Sequence, residues 1–200
     1  MAKAIFLSDR QRQVLALAAR LLREGGLELH EARRAAGLQL NVRQRSEEPN
    51  LETVLQEAQT QLRLFTPDYA EVLLALRQLA AQWMRDLAAF SPLLRGAVWL
   101  GAATRYSSIY LDLYAEASKD VEIALVNAGL DYDTPDLGER EDAPLLRCYG
   151  RSPALAQAIP IYLQVHDRGQ LRGALKTLLE PSSDLRLRGD AAALAAIMQR

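Results

Sequence analysis

The sequence predicts an α+β protein, with an N-terminal helical region followed by a small mixed-sheet domain. Three observations predict it. Apolar residues recur at helical spacing through most of residues 8–90. A strict period-two alternation then appears in Ser107–Glu116. After Pro92 the expected order is β-β-α-β-β-α-α, behind an all-helical lead. That order is not the regular β-α alternation of a doubly wound sheet.

The elements follow in turn. Ser8 is an N-cap for a first helix in which Val14, Leu15, Leu17, Ala18, Leu21 and Leu22 form the apolar face, and Gly25-Gly26 stops it. A second, shorter helix covers LELHEARRAAG and ends at Gly37, and LQLNVRQRSEEPN is a connector. LETVLQEAQTQLRLF is a third helix, stopped by Thr66-Pro67. The fourth runs from Pro67 to Phe90, with the proline in the first turn, where its missing N–H is harmless. Ser91-Pro92 ends it. The apolar run AVWLG reads as a short strand, followed by a tight turn and the alternating strand SSIYLDLYAE. On that strand Ile109, Leu111 and Leu113 share one face, and Ser108, Tyr110 and Asp112 share the other. SKDVEIALVNAG is a helix capped by Ser118 and closed by Gly129. An acidic, turn-rich loop spans 131–142. PLLRCYG and IPIYLQVHD are two more strands. DRGQLRGALKTLL is a helix with Asp167 as N-cap, and a last helix follows Asp190. The expected division is 1–66 for the helical region and 67–200 for the α+β domain, which includes its leading helix 67–90.

Composition excludes several classes. Half the chain is apolar and about a quarter is charged, as in ordinary globular proteins. The net charge is −1, so bulk charge does not select nucleic acid or a membrane surface. The distribution is uneven: residues 1–45 carry nine Lys/Arg against four acids, and residues 110–145 carry ten acids against Lys119 and Arg140. Solvated helix faces account for that pattern more simply than a partner surface or two regions that face each other. The single Cys148 rules out an internal disulfide and reads as a buried filler. With no secretory leader and no long apolar run, the expectation is a cytoplasmic protein without membrane attachment. Trp83 and Trp99 are expected in the core. His30 and His166 lack partners at metal-ligand spacing, so no zinc site is expected.

The order helix, short strand, Gly-containing turn, strand with alternating polar residues and helix resembles the nucleotidyltransferase superfamily that includes DNA polymerase beta. A second resemblance spans nearly the whole chain. It is to a family of uncharacterised proteobacterial proteins with the pattern G-A-V-W-x-G-x-A-T-R-x-S-x-I-Y and a late D-x-x-x-L-R-G-A-L helix, here Gly96–Tyr110 and Asp167–Leu175. The superfamily pattern is a Gly-Ser pair after the first strand and an Asp-x-Asp on the second. Carboxylates two apart on a strand share a face, and with a third they hold two divalent ions that clamp a triphosphate. In this chain the Gly-Ser pair is matched to Gly101-Ala102, and Ser107-Ser108-Ile109-Tyr110 replaces Ser-Asp-Ile-Asp. Ser108 and Tyr110 are poor magnesium ligands, and Asp112 stands one step beyond them.

The resemblance therefore implies a catalytically degenerate nucleotidyltransferase-like protein acting as a ligand-binding or regulatory module. Its expected ligand groove is formed by Gly101, Ala102, Thr104, Arg105, Ser107, Ser108, Tyr110 and Asp112, with Arg105 facing the phosphate of a nucleotide or other small phosphorylated ligand. No cofactor is expected. The alternative is a surviving Mg²⁺-dependent enzyme, in which Asp112 with Asp131, Asp133, Asp136 or Asp167 rebuilds a metal site. A further alternative is a scaffolding protein or homodimer through helix 67–90. Binding of nucleic acid by the first two helices is disfavoured, because the second lacks a base-reading polar face.

Overall fold

The computed structural model describes residues 7–44, 47–135, 144–179 and 185–199. Among them it contains eight α-helices and a five-stranded mixed sheet. Helices α1 (Asp9–Gly25), α2 (Leu29–Gln39) and α3 (Leu51–Phe65) form the N-terminal bundle. Ser8 caps α1 by accepting the Gln11 N–H, and the Gln11 side chain returns to the Ser8 N–H. Gly26 closes α1 in the left-handed conformation. Asn50 caps α3 through the Thr53 N–H. The bundle core alternates leucines and valines with Ala18, Ala19, Ala32, Ala36 and Ala58, small residues that let the helices approach closely. Helix α2 continues through Gly37 to Gln39 rather than stopping at the glycine.

Helix α4 (Tyr69–Asp86) turns its apolar face, Val72, Leu73, Leu76, Leu79, Ala80, Trp83 and Met84, into the core against the sheet. That face is the one a helix seam between two copies would have used. Of its leucines only Leu74 remains exposed. The buried apolar residues fall into two large clusters, one spanning 14–62 plus Ala102 and the other 72–194. Ala102 and its neighbour Ala103 belong to different clusters, so this loop pins the bundle to the sheet domain.

The strands are β1 (Leu93–Arg95), β2 (Ile109–Ala115), β3 (Leu145–Arg151), β4 (Ala158–Asp167) and β5 (Arg188–Gly189), in the order β3-β4-β2-β1-β5. Only β2 and β4 are parallel. Helix α6 (Ser118–Asn127) makes the crossover from β2, and α7 (Leu171–Leu179) and α8 (Ala191–Met198) follow β4 and β5. Ile109, Leu111, Leu113, Ile161, Leu163 and Val165 fill the apolar face, as the alternation required. Trp83 and Trp99 are in that core, as is Cys148, whose thiol burial pushes up to about 11.

Besides the end of α2 and the bounds of α4, which starts at Tyr69 rather than Pro67 and stops at Asp86 rather than Phe90, three local expectations are corrected. The run Ala97–Leu100 is not a strand but most of a short helix, α5 (Gly96–Leu100), and the strand is β1 just before it. The segment is therefore strand, helix, loop, strand, and not a tight hairpin. Gly96 (φ +77°) and Gly101 (φ +70°) bracket one buried helical turn. A four-residue apolar run carries no periodicity that separates such a turn from a strand. The glycine that follows the first strand is consequently Gly96, not Gly101. Second, the cap of α6 is Ala117, whose N–H is taken by Asp120, and Ser118 is the first helical residue. Third, β5 was not expected. It rests on Trp99: a Cβ at Gly189 would lie 2.0 Å from the indole, and the indole N–H donates to the Arg186 carbonyl at 2.8 Å. No helix among the described residues is long and apolar enough to cross a membrane.

Candidate ligand cavity on the polar face of the sheet

Strand register lines up one residue from each of the five strands on the polar face: Arg188, Arg95, Tyr110, Tyr162 and Arg147. Alternation puts Asp112 and Gln164 in the next row, and Tyr114 and His166 in the one after. Tyr110 and Tyr162 stack with ring centres 5.0 Å apart and planes 12° from parallel. The Arg95 guanidinium lies over the Tyr110 ring, 4.9 Å from its centre.

Asp112 is the charged centre of this face and its side chain is only 3% exposed. Arg95 Nε donates to Oδ1 at 2.9 Å, and Arg188 Nη1 donates to Oδ2 at 3.1 Å. Arg95 Nη2 continues to Gln164 Oε1 at 2.8 Å. His166 Nε2 stands 3.4 Å from Oδ1, without hydrogen-bond geometry. A buried carboxylate persists only with such counter-charges.

Helix α2 forms the roof over this row. Its first turn supplies Leu29, His30 and Glu31, and the preceding residue is Glu28. Glu28 Oε2 accepts the Ala97 N–H at 2.9 Å, while Oε1 is shut off from solvent without a partner. Burial pushes the Glu28 carboxyl up to about 7, opposed by the Ala97 N–H and Arg95. Gly96 makes this contact sterically feasible, because a Cβ there would lie 2.5 Å from Glu28 Oε2. Between roof and floor lies a cavity of about 430 Å³. Its apolar walls are Leu29, Leu51, Leu100, Leu145 and Leu187, and its polar groups come from Glu28, Glu31, Arg95, Arg188, Tyr110 and Tyr162. The Tyr110 hydroxyl is pushed above its ordinary range, first by burial and then by Glu28 and Glu31, so it stays a protonated donor.

Only part of the groove expected from sequence converges here. Tyr110 lines the cavity, and Asp112 sits in the next row of the same face, held by Arg95 and Arg188. Gly101 is buried beneath α3 and α4: its carbonyl accepts the Tyr69 hydroxyl, and Arg77 and Gln59 cover it. Ala102 is core. Thr104 and Ser107 are buried and satisfy the loop, with the Thr104 N–H on Ser107 Oγ at 2.9 Å. Ser108 is partly buried just before β2. Arg105 is exposed and pairs with Asp68, and its carbonyl accepts from Gln157. None of the residues 101–108 lines the cavity. Sequence reasoning missed Glu28, Glu31, Arg95, Tyr162 and Arg188. The alternation of IPIYLQVHD could have given Tyr162, since a period of two places it on one face with Gln164 and His166.

The residues present do not fit a pair of divalent cations. Two guanidinium groups flank Asp112 where metal ions would need more carboxylates. Asp133 gives both oxygens to Arg147, at 2.9 and 2.6 Å. Asp167 Oδ1 accepts the Gly169 N–H at 2.7 Å. Asp136 lies outside the described residues, and among the described ones no group of three or more His, Cys, Asp or Glu could hold a metal ion. No family model, no curated protein and no solved structure matches the chain.

Proposed function

We propose that this chain is a non-catalytic ligand-binding or regulatory module on a nucleotidyltransferase-like scaffold, and that its ligand enters the cavity between α2 and the polar face of the sheet. The observation that carries the proposal is the state of Asp112. The lone carboxylate left on the strand of a would-be metal site is held by Arg95 and Arg188. Fixed guanidinium charges thus stand where mobile cations would be needed, and a site so neutralised binds without clamping a triphosphate for transfer. The cavity supports the binding half of the reading. Its size is in the usual range for small-molecule sites, and it is mostly apolar with a few convergent polar groups.

The test is calorimetric titration of the full chain with ATP, CTP, GTP and UTP, with and without Mg²⁺, beside a Leu187→Trp variant. Leu187 is half-exposed at the cavity, so tryptophan there narrows it without touching the core. The proposal expects any binding to be independent of Mg²⁺ and weakened by Leu187→Trp. Binding that needs Mg²⁺ and is lost in Asp112→Ala would overturn it in favour of a surviving enzyme.

A further inference from the structure

The two walls of the cavity carry opposite charge. The floor presents the guanidinium groups of Arg95 and Arg188, which share one carboxylate, Asp112, and so leave a net positive charge. The roof presents the carboxylates of Glu28 and Glu31. Glu28 is only partly satisfied, and Glu31 is exposed to solvent. Glu28 receives one backbone N–H and leaves Oε1 shut off without a partner, and Glu31 accepts the Glu28 N–H at 3.3 Å. No ion pair within 4.0 Å joins either roof carboxylate to either floor guanidinium among the described residues. His30 is the remaining titratable group on the roof, and Tyr110 and Tyr162 complete the floor. Five leucines surround these charges.

Resting on the reading that this cavity is the ligand site, we propose that it takes a small zwitterion with an apolar side chain, of the class of a hydrophobic α-amino acid. The ligand carboxylate meets Arg95 and Arg188, and the ligand ammonium meets the Glu31 carboxylate, with Glu28 beside it. The side chain lies among Leu29, Leu51, Leu100 and Leu145, against the stacked tyrosines. A polyanion places its charge against Glu28 and Glu31, and a simple cation meets the two arginines. Only a molecule with both signs of charge close together relieves both walls. Facing charges that are not in contact with each other favour such a ligand because each gains a partner on binding.

The experiment is calorimetric titration of the full chain with L-leucine and L-phenylalanine, beside L-phenylalaninamide and N-acetyl-L-phenylalanine. The last two each lack one charge and stand for the ends of a peptide. The free amino acids are expected to bind, and each singly charged analogue to bind at least about tenfold more weakly, since it leaves one wall unpaired. Glu31→Gln should remove the preference for phenylalanine over N-acetyl-phenylalanine, and Leu187→Trp should weaken all of them, with folding checked by circular dichroism. Equal affinity for an analogue that lacks the ammonium, or no amino-acid binding at millimolar concentration, overturns the proposal. If the amino acids fail while a nucleotide binds without Mg²⁺ and is weakened by Leu187→Trp, the ligand class is wrong and the cavity reading survives. If the nucleotide requires Mg²⁺ and Asp112, both fail.

Discussion

Replacing Asp112 by Asn separates the two accounts of the polar face by the sign of a stability change. In the structure Asp112 is a counter-charge. Its side chain is 3% exposed and it holds Arg95 at 2.9 Å and Arg188 at 3.1 Å. Asn keeps the shape, loses the charge and leaves two guanidinium groups facing each other. Breaking a buried pair from one side costs about 3–5 kcal/mol. Both arginine side chains are near one-third exposed, at 29% and 34%, so solvent screens the remainder. About 2–3 kcal/mol is the appropriate expectation after that discount. For a chain of this size that lowers the melting temperature by roughly 4–12 °C. The assay is thermal and urea denaturation with and without millimolar Mg²⁺. Adding Arg188→Met to Asp112→Asn should recover part of the loss, because the excess charge is gone. Were Asp112 instead a metal ligand, the wild type would gain stability with Mg²⁺ and the variant would not. An Asp112→Asn protein as stable as wild type without metal would refute the counter-charge argument.

Four further outcomes follow from the same geometry. The Glu28 carboxyl is held up to about 7 in the folded chain, above its ordinary 4.5, so between those pH values the folded state binds more protons than the unfolded one. Stability from this group is full below pH about 4.5 and falls by roughly 3 kcal/mol as pH rises through about 7; Glu28→Gln should flatten that slope in urea titrations and stabilise the protein at pH about 8. Gly189→Ala drives a Cβ to 2.0 Å from the Trp99 ring, and should cost about 2–3 kcal/mol with a shifted tryptophan emission; unchanged stability would mean Trp99 is not packed there. The double substitution Ser108→Asp with Tyr110→Asp restores the missing carboxylates, yet should yield no Mg²⁺-dependent nucleotide turnover, because Arg95 and Arg188 still neutralise the face. Cys148, buried and with its thiol raised to about 11, should react with a thiol reagent only on global unfolding; fast labelling of the native chain would contradict its placement.

Helices α1, α3 and α8 were legible because an apolar stretch and an end signal agree in each. Ser8 with Gly26, Thr66-Pro67 and Asp190 all mark ends that the structure keeps. The alternation of β2 gave both its faces correctly. The segment 96–101 was misread because one buried helical turn and one buried strand are alike in composition. That error moved the first-strand glycine from Gly96 to Gly101 and drew the expected groove to the wrong end of the loop. The cavity itself was legible only at Tyr110. Glu28 and Arg95 are 67 residues apart in the chain, and nothing local tells a charged residue at a helix start that a glycine in another element will admit its carboxylate. Arg188 was hidden for a different reason. It lies on a two-residue strand, too short to show a period.

Pyrophosphate release from the four nucleoside triphosphates in the presence of Mg²⁺, measured side by side for the wild type and Asp112→Asn, tests the central claim most directly. The account expects no Mg²⁺-dependent release from either protein. Release by the wild type that disappears in Asp112→Asn would contradict it, and would make Asp112 a catalytic metal ligand rather than the counter-charge of Arg95 and Arg188.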